Sequence, residues 1–334
     1  MRFRSLALFT VAVALVAALF ALWRVQPVAG QSPLGPKPQP EIFGGKVPQA
    51  GASGVNLPQR DLYALDADNT LHVMRACRPS FRRHFRVQNV IGNLIGIDFR
   101  PADGQLYAVS DAGYVYTIDL EKEDRGEAAV VSAISPRFAG GFQALMDFNP
   151  VVNALRLIGT NDQNFALVSS GGNLNVTAPQ TALQYAAGDV AAGVDPNICG
   201  GSYTNNVAGA TATIFYALDH DLDTLVTIAG PLVGAGSSNT GGGQLQTLGP
   251  LVTFDGNPFR ISATADLDIY TEGGANFLLG ISGRKLFSID LAGLSPTPPP
   301  LGTVRRIVVR TADIGPANFI DLAVAPTRSG CGKD

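Results

Sequence analysis

Apolar and polar residues alternate along most of this chain in short runs. Val, Ile, Leu, Tyr and Phe hold the apolar positions, and Gly, Asn, Asp or Pro close each run. That pattern predicts short half-buried strands joined by tight turns rather than helices. One phrase recurs: Gly96-Ile97-Asp98-Phe99-Arg100-Pro101, then Leu145-Met146-Asp147-Phe148-Asn149-Pro150, and near the end Ile320-Asp321-Leu322-Ala323-Val324-Ala325-Pro326. A second strand-like run follows each of the first two copies, Leu106-Tyr107-Ala108-Val109 and Leu155-Arg156-Leu157-Ile158, whereas the last copy has almost no chain after it. Leu62-Tyr63-Ala64-Leu65 opens the patterned region with no such phrase in front. The two ends together make one whole repeat, so the C-terminal strand is expected to pair with the N-terminal run.

Five sets of strands emerge: residues 319–326 joined to 61–74, then 94–134, 143–176, 198–248 and 266–309. Within each, an inner phrase, a turn, a Tyr-Ala-Leu-like strand, a polar turn and a third strand follow in order. This is an antiparallel meander. A repeat of about 50 residues with about four strands is the size of one β-propeller blade, and blades bury their faces only against neighbours. The expected fold is therefore an all-β propeller over residues 60–328, most simply with five blades, six or seven being the rivals. The 329–334 segment reads as a tail.

Composition supports short strands and tight turns. The 334 residues include 38 Gly and 22 Pro, with 46% hydrophobic and only 15% charged residues, the mixture of an all-β domain rather than of solvated helices. A formal net charge of -3 leaves no electrostatic footprint for nucleic acid, whose affinity rests on clustered Lys and Arg. The densest basic stretch, residues 75–86 with Arg78, Arg82, Arg83 and His84, reads as a solvated loop or an outer strand guarded by charge.

Residues 1–30 read as an export segment, with Arg2 and Arg4, an apolar run over 6–23, then Arg24 and Val28-Ala29-Gly30. The run is long for a cleaved signal and close to a spanning length, so it serves either as a signal peptide or as a membrane anchor. The Pro- and Gly-rich residues 31–59 read as a spacer. The expected location is periplasmic or extracellular.

Tyr63-Ala64-Leu65-Asp66-Ala67-Asp68-Asn69, Gly96-Ile97-Asp98-Phe99-Arg100-Pro101-Ala102-Asp103-Gly104, Asp147-Phe148-Asn149-Pro150, Tyr185-Ala186-Ala187-Gly188-Asp189 and Tyr203-Thr204-Asn205-Asn206 together resemble an exported bacterial family known only as domain of unknown function 4394. The resemblance covers about residues 60–230. It implies a β-propeller-like fold and no established activity, so it transfers no catalytic residue.

The candidate chemistry lies in the recurring acid. Asp98, Asp147 and Asp321, with Asp268 as a looser fourth, are the expected ligand-binding residues: if the phrases are innermost strands, these carboxylates converge near the channel, where such a ring would take a hard cation such as Ca²⁺. The competing reading gives each Asp a structural task, accepting backbone N–H groups once per repeat. Asp219-His220-Asp221-Leu222-Asp223 occupies the slot filled elsewhere by Asp66-Ala67-Asp68-Asn69 and reads as a turn. No nucleophile elbow and no zinc motif is present. His72 falls in a strand, His84 in the basic stretch and His220 in a turn. The insertions at 177–197 and 230–243 are expected to rim one mouth. Cys77 and Cys331 are expected to form a disulfide that locks the two ends together, and Cys199, at the start of an inner strand, reads as a buried free thiol. The function these features indicate is a non-catalytic binding module for a protein, glycan or small ligand. The competing class is an extracytoplasmic carbohydrate-active hydrolase or lyase with channel-facing carboxylates.

Overall fold

The computed structural model describes residues 54–55, 57–74, 80–121, 126–141, 144–170, 173–176, 180–228, 242–292, 294, 300, 302–315 and 318–329. The export segment, most of the spacer, Cys77 and Cys331 lie outside them, as does nearly all of the second insertion.

Among the described residues the chain is all β. Strands β1 (Leu62–Asp66), β2 (Thr70–Met74) and β3 (Phe81–Gln88) form an antiparallel meander. The same order recurs in β4 (Leu94–Phe99), β5 (Leu106–Ser110), β6 (Tyr114–Asp119) and β7 (Gly126–Ala133). It recurs again in β8 (Leu145–Asn149), β9 (Ala154–Ile158), β10 (Asn164–Ser170) and β11 (Asn173–Val176). After the two-residue β12 (Gln184–Tyr185) come β13 (Ile198–Tyr203), β14 (Phe215–Asp219), β15 (Thr224–Ile228) and β16 (Gln244–Thr253). The last full set is β17 (Asp266–Glu272), β18 (Ala275–Ser282), β19 (Lys285–Ile289) and β20 (Ile307–Asp313). Finally β21 (Phe319–Val324) returns to the free side of β1, placing Tyr63 opposite Ala323 and Leu65 opposite Asp321.

The turns have the chemistry their spacing predicts. Between second and third strands Asn69, Asp162 and Asp223 adopt φ of 61°, 61° and 51°, a left-handed conformation that Asn and Asp tolerate better than most residues. Asp66 Oδ1 accepts the Asp68 and Thr70 N–H groups, both at 2.9 Å, and Asp219 Oδ1 accepts those of Asp221 and Leu222, both at 3.0 Å. The 219–223 run is thus a hairpin turn.

Each meander buries both faces against its neighbours. Leu65, Leu71 and Ala323 pack with Ile97, Phe99 and Leu106, and Tyr107, Val109 and Val115 with Met146, Phe148 and Leu155. Leu145 and Ile158 pack with Tyr203 and Phe215, and Cys199, Tyr216 and Leu225 with Leu267, Leu278 and Phe287. Leu279 and Ile281 of the last full set pack with Leu62, Leu322 and Val324 of the first. Burying a large apolar side chain contributes roughly 1.5–3 kcal/mol, and these shared interfaces hold the meanders together. Outer strands also join in parallel, β3 to β7 and β16 to β20.

Several details refine or change the sequence reading. Of the two readings of the basic stretch, residues 81–86 take the strand, within β3, where His84 stacks on His72 with ring centroids 5.6 Å apart. Phe81 to Arg86 pair with β2, and the last two residues of β3, Val87 and Gln88, also pair with β7. Strand β16 runs on past Leu248 to Thr253 because its far half pairs with β20. The first insertion packs against β14 and β16. Leu183, Tyr185, Ala186 and Ala191 are buried, Tyr185 donates to Asp219 Oδ2 at 2.6 Å, and Asp189 accepts both the N–H and the hydroxyl of Thr247, at 2.9 and 2.8 Å.

Candidate functional site

Strands β4, β8, β13, β17 and β21 each have a ladder partner on one side only. Their other edges face one another: β4 touches β8, β8 touches β13, β13 touches β17, β17 touches β21, and β21 touches β4. An edge strand leaves a row of backbone N–H groups without ladder acceptors, and a buried row needs acceptors from elsewhere. The recurring acids supply them. Asp98 Oδ2 accepts the Phe148 N–H at 2.8 Å, and Asp147 Oδ2 accepts that of Tyr203 at 3.1 Å. In the next strand the equivalent residue is Ser202, whose Oγ accepts the Ile269 N–H at 3.1 Å. Asp266 Oδ2 accepts the Leu322 N–H at 2.9 Å, and Asp268 Oδ2 that of Val324 at 2.7 Å. Each bond runs from one inner strand to the following one.

Asp321 is the exception. The Ile97 amide lies close enough to favour its charged form, yet among the described residues neither carboxyl oxygen makes a properly aligned hydrogen bond, and both are buried. Glycines open the space these carboxyls occupy. A Cβ on Gly200 would stand 2.6 Å from Asp266 Oδ1, and one on Gly96 would stand 2.7 Å from Met146 Cβ and 3.1 Å from Asp321 Oδ2.

Oxygens of Asp98, Asp147 and Asp268 lie within 4.8 Å of one another. The Ser202 hydroxyl sits between two of these groups, 3.2 Å from Asp147 Oδ1 and 3.1 Å from Asp268 Oδ1. All five carboxyls, of Asp98, Asp147, Asp266, Asp268 and Asp321, are almost fully buried. Burial pushes Asp98, Asp147, Asp266 and Asp321 well above the usual carboxylate range, and neighbouring carboxylates add to the rise. Asp268 rises only to about 6, because the Val324 and Ile269 amides, Ser202 and the Arg60 guanidinium oppose its desolvation. Arg60 is held nearby, donating to Ala325 O and Thr271 O, both at 3.1 Å, and also to Pro326 O.

Of the residues expected from sequence to act together, Asp98, Asp147 and Asp268 therefore do converge, and Asp321 lies beside them. Ser202 and Asp266 were not anticipated. Ser202 carries no acid to mark it, though its place before Tyr203 matches Asp98 before Phe99. Asp266 lies two residues before Asp268, on the same face of a period-two strand. His72 bonds Asp66 Oδ2 at 2.9 Å and His220 lies 3.1 Å from Asp221, so neither belongs to this cluster. Cys199 is a buried free thiol, 2% exposed.

The sequence profile of a family described as "Domain of unknown function (DUF4394)" matches residues 70–301. The chain belongs to this family. For this DUF4394 chain the matched span starts at β2 and stops before β20 and β21, so the strands where the two ends meet lie outside it. No curated relative matches. Among solved structures, the chain is similar to a dihydro-heme d1 dehydrogenase, NirN, solved with DHE, at 14% identity and a TM-score of 0.29, covering 74% of this chain and 46% of that one. It is similar to an auxiliary nutrient binding protein from Bacteroides thetaiotaomicron at 12% identity and a TM-score of 0.36, covering 65% and 55%. It is also similar to an inactive virginiamycin B lyase from Staphylococcus aureus, solved with quinupristin, at 11% identity and a TM-score of 0.38, covering 81% and 76%. The chain spans about half the length of the first two.

Proposed function

We propose that this DUF4394 chain is an exported five-bladed β-propeller, closed by β21 against β1, that acts as a non-catalytic binding module for a protein, glycan or small ligand. The propeller spans residues 60–328, behind an export segment at 1–30 and a spacer at 31–59. Five shared cores, the last joining the fifth meander to the first, support the blade count.

The observation that carries the binding reading is the contrast between the axis and the mouth where the inner strands end. At the axis the acids are 1–3% exposed for Asp98, Asp147, Asp268 and Asp321, and most of them are occupied with backbone amides. At the mouth the following residues present polar groups across meander boundaries. Arg100 Nε donates to Asn153 Oδ1 at 2.9 Å, Asn276 Nδ2 donates to Asn205 Oδ1 at 3.0 Å, and the buried Oδ1 of Asn206 has no partner among the described residues. Arg60 lies over the Tyr270 ring at 5.5 Å, and Tyr270 stacks on Phe277, which is 39% exposed. Convergent amides beside an aromatic face are the usual lining of a ligand seat on a rigid scaffold.

A hydrolase or lyase is not favoured, since its acid and base must touch the substrate and these carboxyls are shut away from solvent. The test is a glycan array together with chromogenic glycosides, using the full chain. Retention of a glycan without chromophore release is the expected result. Turnover abolished by Asp147→Asn would overturn the reading in favour of catalysis.

A further inference from the structure

Resting on the propeller reading, we propose that the carboxyls of Asp98, Asp147, Asp268 and Asp321 form a seat for one hard divalent cation, Ca²⁺ by size, on the axis between the inner strands. Three oxygens within 4.8 Å of one another have a common centre no more than about 2.8 Å from each. Ca²⁺ takes oxygen ligands at about 2.3–2.6 Å in flexible arrangements, whereas Mg²⁺ demands about 2.0–2.1 Å in a near-ideal octahedron. A modest inward movement satisfies the larger ion, and the smaller one needs the strands themselves to close.

Two further features separate this cluster from acids serving only as amide acceptors. The first is Asp321. It is 1% exposed, and among the described residues neither oxygen has an aligned hydrogen bond, the nearby Ile97 amide being off-line. Its Oδ2 lies 3.1 Å from where a Cβ on Gly96 would stand, on the face of β4 that two residues on carries Asp98. A buried carboxyl without a donor is costly, and a cation at the cluster supplies the missing partner. The second is charge. Five buried carboxyls face one another, and the Arg60 guanidinium opposes the desolvation of one of them, Asp268. A dication takes the place of protons that burial otherwise retains on these carboxyls, and the Ser202 Oγ, bridging Asp147 and Asp268, stands ready as a neutral oxygen ligand. The hydrogen bonds to Phe148, Tyr203 and Val324 use one lone pair each, so the ladder and the ion do not compete for the same oxygens' full capacity.

The experiment uses the full chain stripped with EDTA and titrated with CaCl₂ by calorimetry, with thermal unfolding followed in parallel. The expected result is one ion per chain, with affinity at least in the range of about 10⁻⁴–10⁻³ M typical of extracellular sites. Saturation raises the unfolding midpoint by several degrees, and equal MgCl₂ does less. Asp321→Asn and Asp98→Asn each weaken binding by about tenfold or more, while Asp66→Asn, whose carboxylate is bonded to its own hairpin turn, leaves it unchanged. Absence of both heat and midpoint shift in the parent chain at about 10 mM CaCl₂ would overturn the proposal, as would an ion whose affinity ignores both cluster variants. The parent measurement stands even if a variant fails to fold. A failure of the propeller itself would show separately, as fast amide exchange at Leu322 and Val324 with or without calcium.

Discussion

Replacing Asp98 tests whether the recurring acid serves as an acceptor for the neighbouring strand edge. Its side chain is 2% exposed and accepts the Phe148 N–H at 2.8 Å. Asp98→Ala leaves that N–H buried with no acceptor, a cost of about 1–3 kcal/mol. Asp98→Asn keeps a carbonyl oxygen in place and removes a group that burial and Asp268 hold well above the ordinary carboxylate range. The Asn variant is therefore expected within about 1 kcal/mol of the parent, and the Ala variant about 1–3 kcal/mol below the Asn variant. For a chain of this size 1 kcal/mol moves the unfolding midpoint by about 2–4 °C, so the two variants differ by roughly 2–12 °C. The assay is thermal unfolding by circular dichroism in EDTA, which keeps cation binding out of the comparison. Asn and Ala variants that unfold together, well below the parent, would refute the acceptor role.

Three other outcomes follow from the same geometry. Gly96→Ala drives a Cβ to 2.7 Å from Met146 Cβ and into the space beside Asp321; a loss of about 1–3 kcal/mol in urea unfolding is expected, and an unchanged midpoint would show that β4 and β8 are not so close. Asp189→Ala removes the acceptor of the Thr247 N–H and hydroxyl, at about 1–3 kcal/mol, and should raise proteolysis of residues 180–197; resistance equal to the parent contradicts the tether. Burial and the neighbouring Asp195 raise Asp162 to about 7. The folded chain thus holds this proton more tightly than the unfolded chain, so its stabilising contribution is full below about pH 4 and is lost as pH rises to about 7. Asp162→Asn should flatten the stability profile across that interval, and an unaltered slope would refute the shift.

What could be read from the sequence was local and repeated. The Asp98-Phe99, Asp147-Phe148 and Asp321-Leu322 pairs place an acid and a large apolar residue on opposite faces of one strand, and period-two alternation exposes that placement directly. The pairing of β21 with β1 was legible because a phrase without a sequel and a sequel without a phrase complete each other. Ser202 escaped notice because its hydroxyl does an acid's work without an acid's charge. Asp266 escaped because the position two before the recurring acid carries no acid in the other copies, where Gly96, Leu145 and Gly200 stand. Arg60, 265 residues from Ala325, is tied to the site only through the folded chain. The parallel pairing of Val87 and Gln88 with Gly126 and Glu127 of β7 joins distant stretches, a partnership no local pattern encodes.

The most direct test of the propeller and its laced inner edges is residue-resolved amide hydrogen exchange at Leu322 and Val324. In a chain closed by β21 these N–H groups are bonded to Asp266 and Asp268 and exchange as slowly as those of the most protected strands, because they open only with the whole fold. Exchange at the rate of a solvent-facing edge strand, with β5 and β14 still protected, would contradict the account.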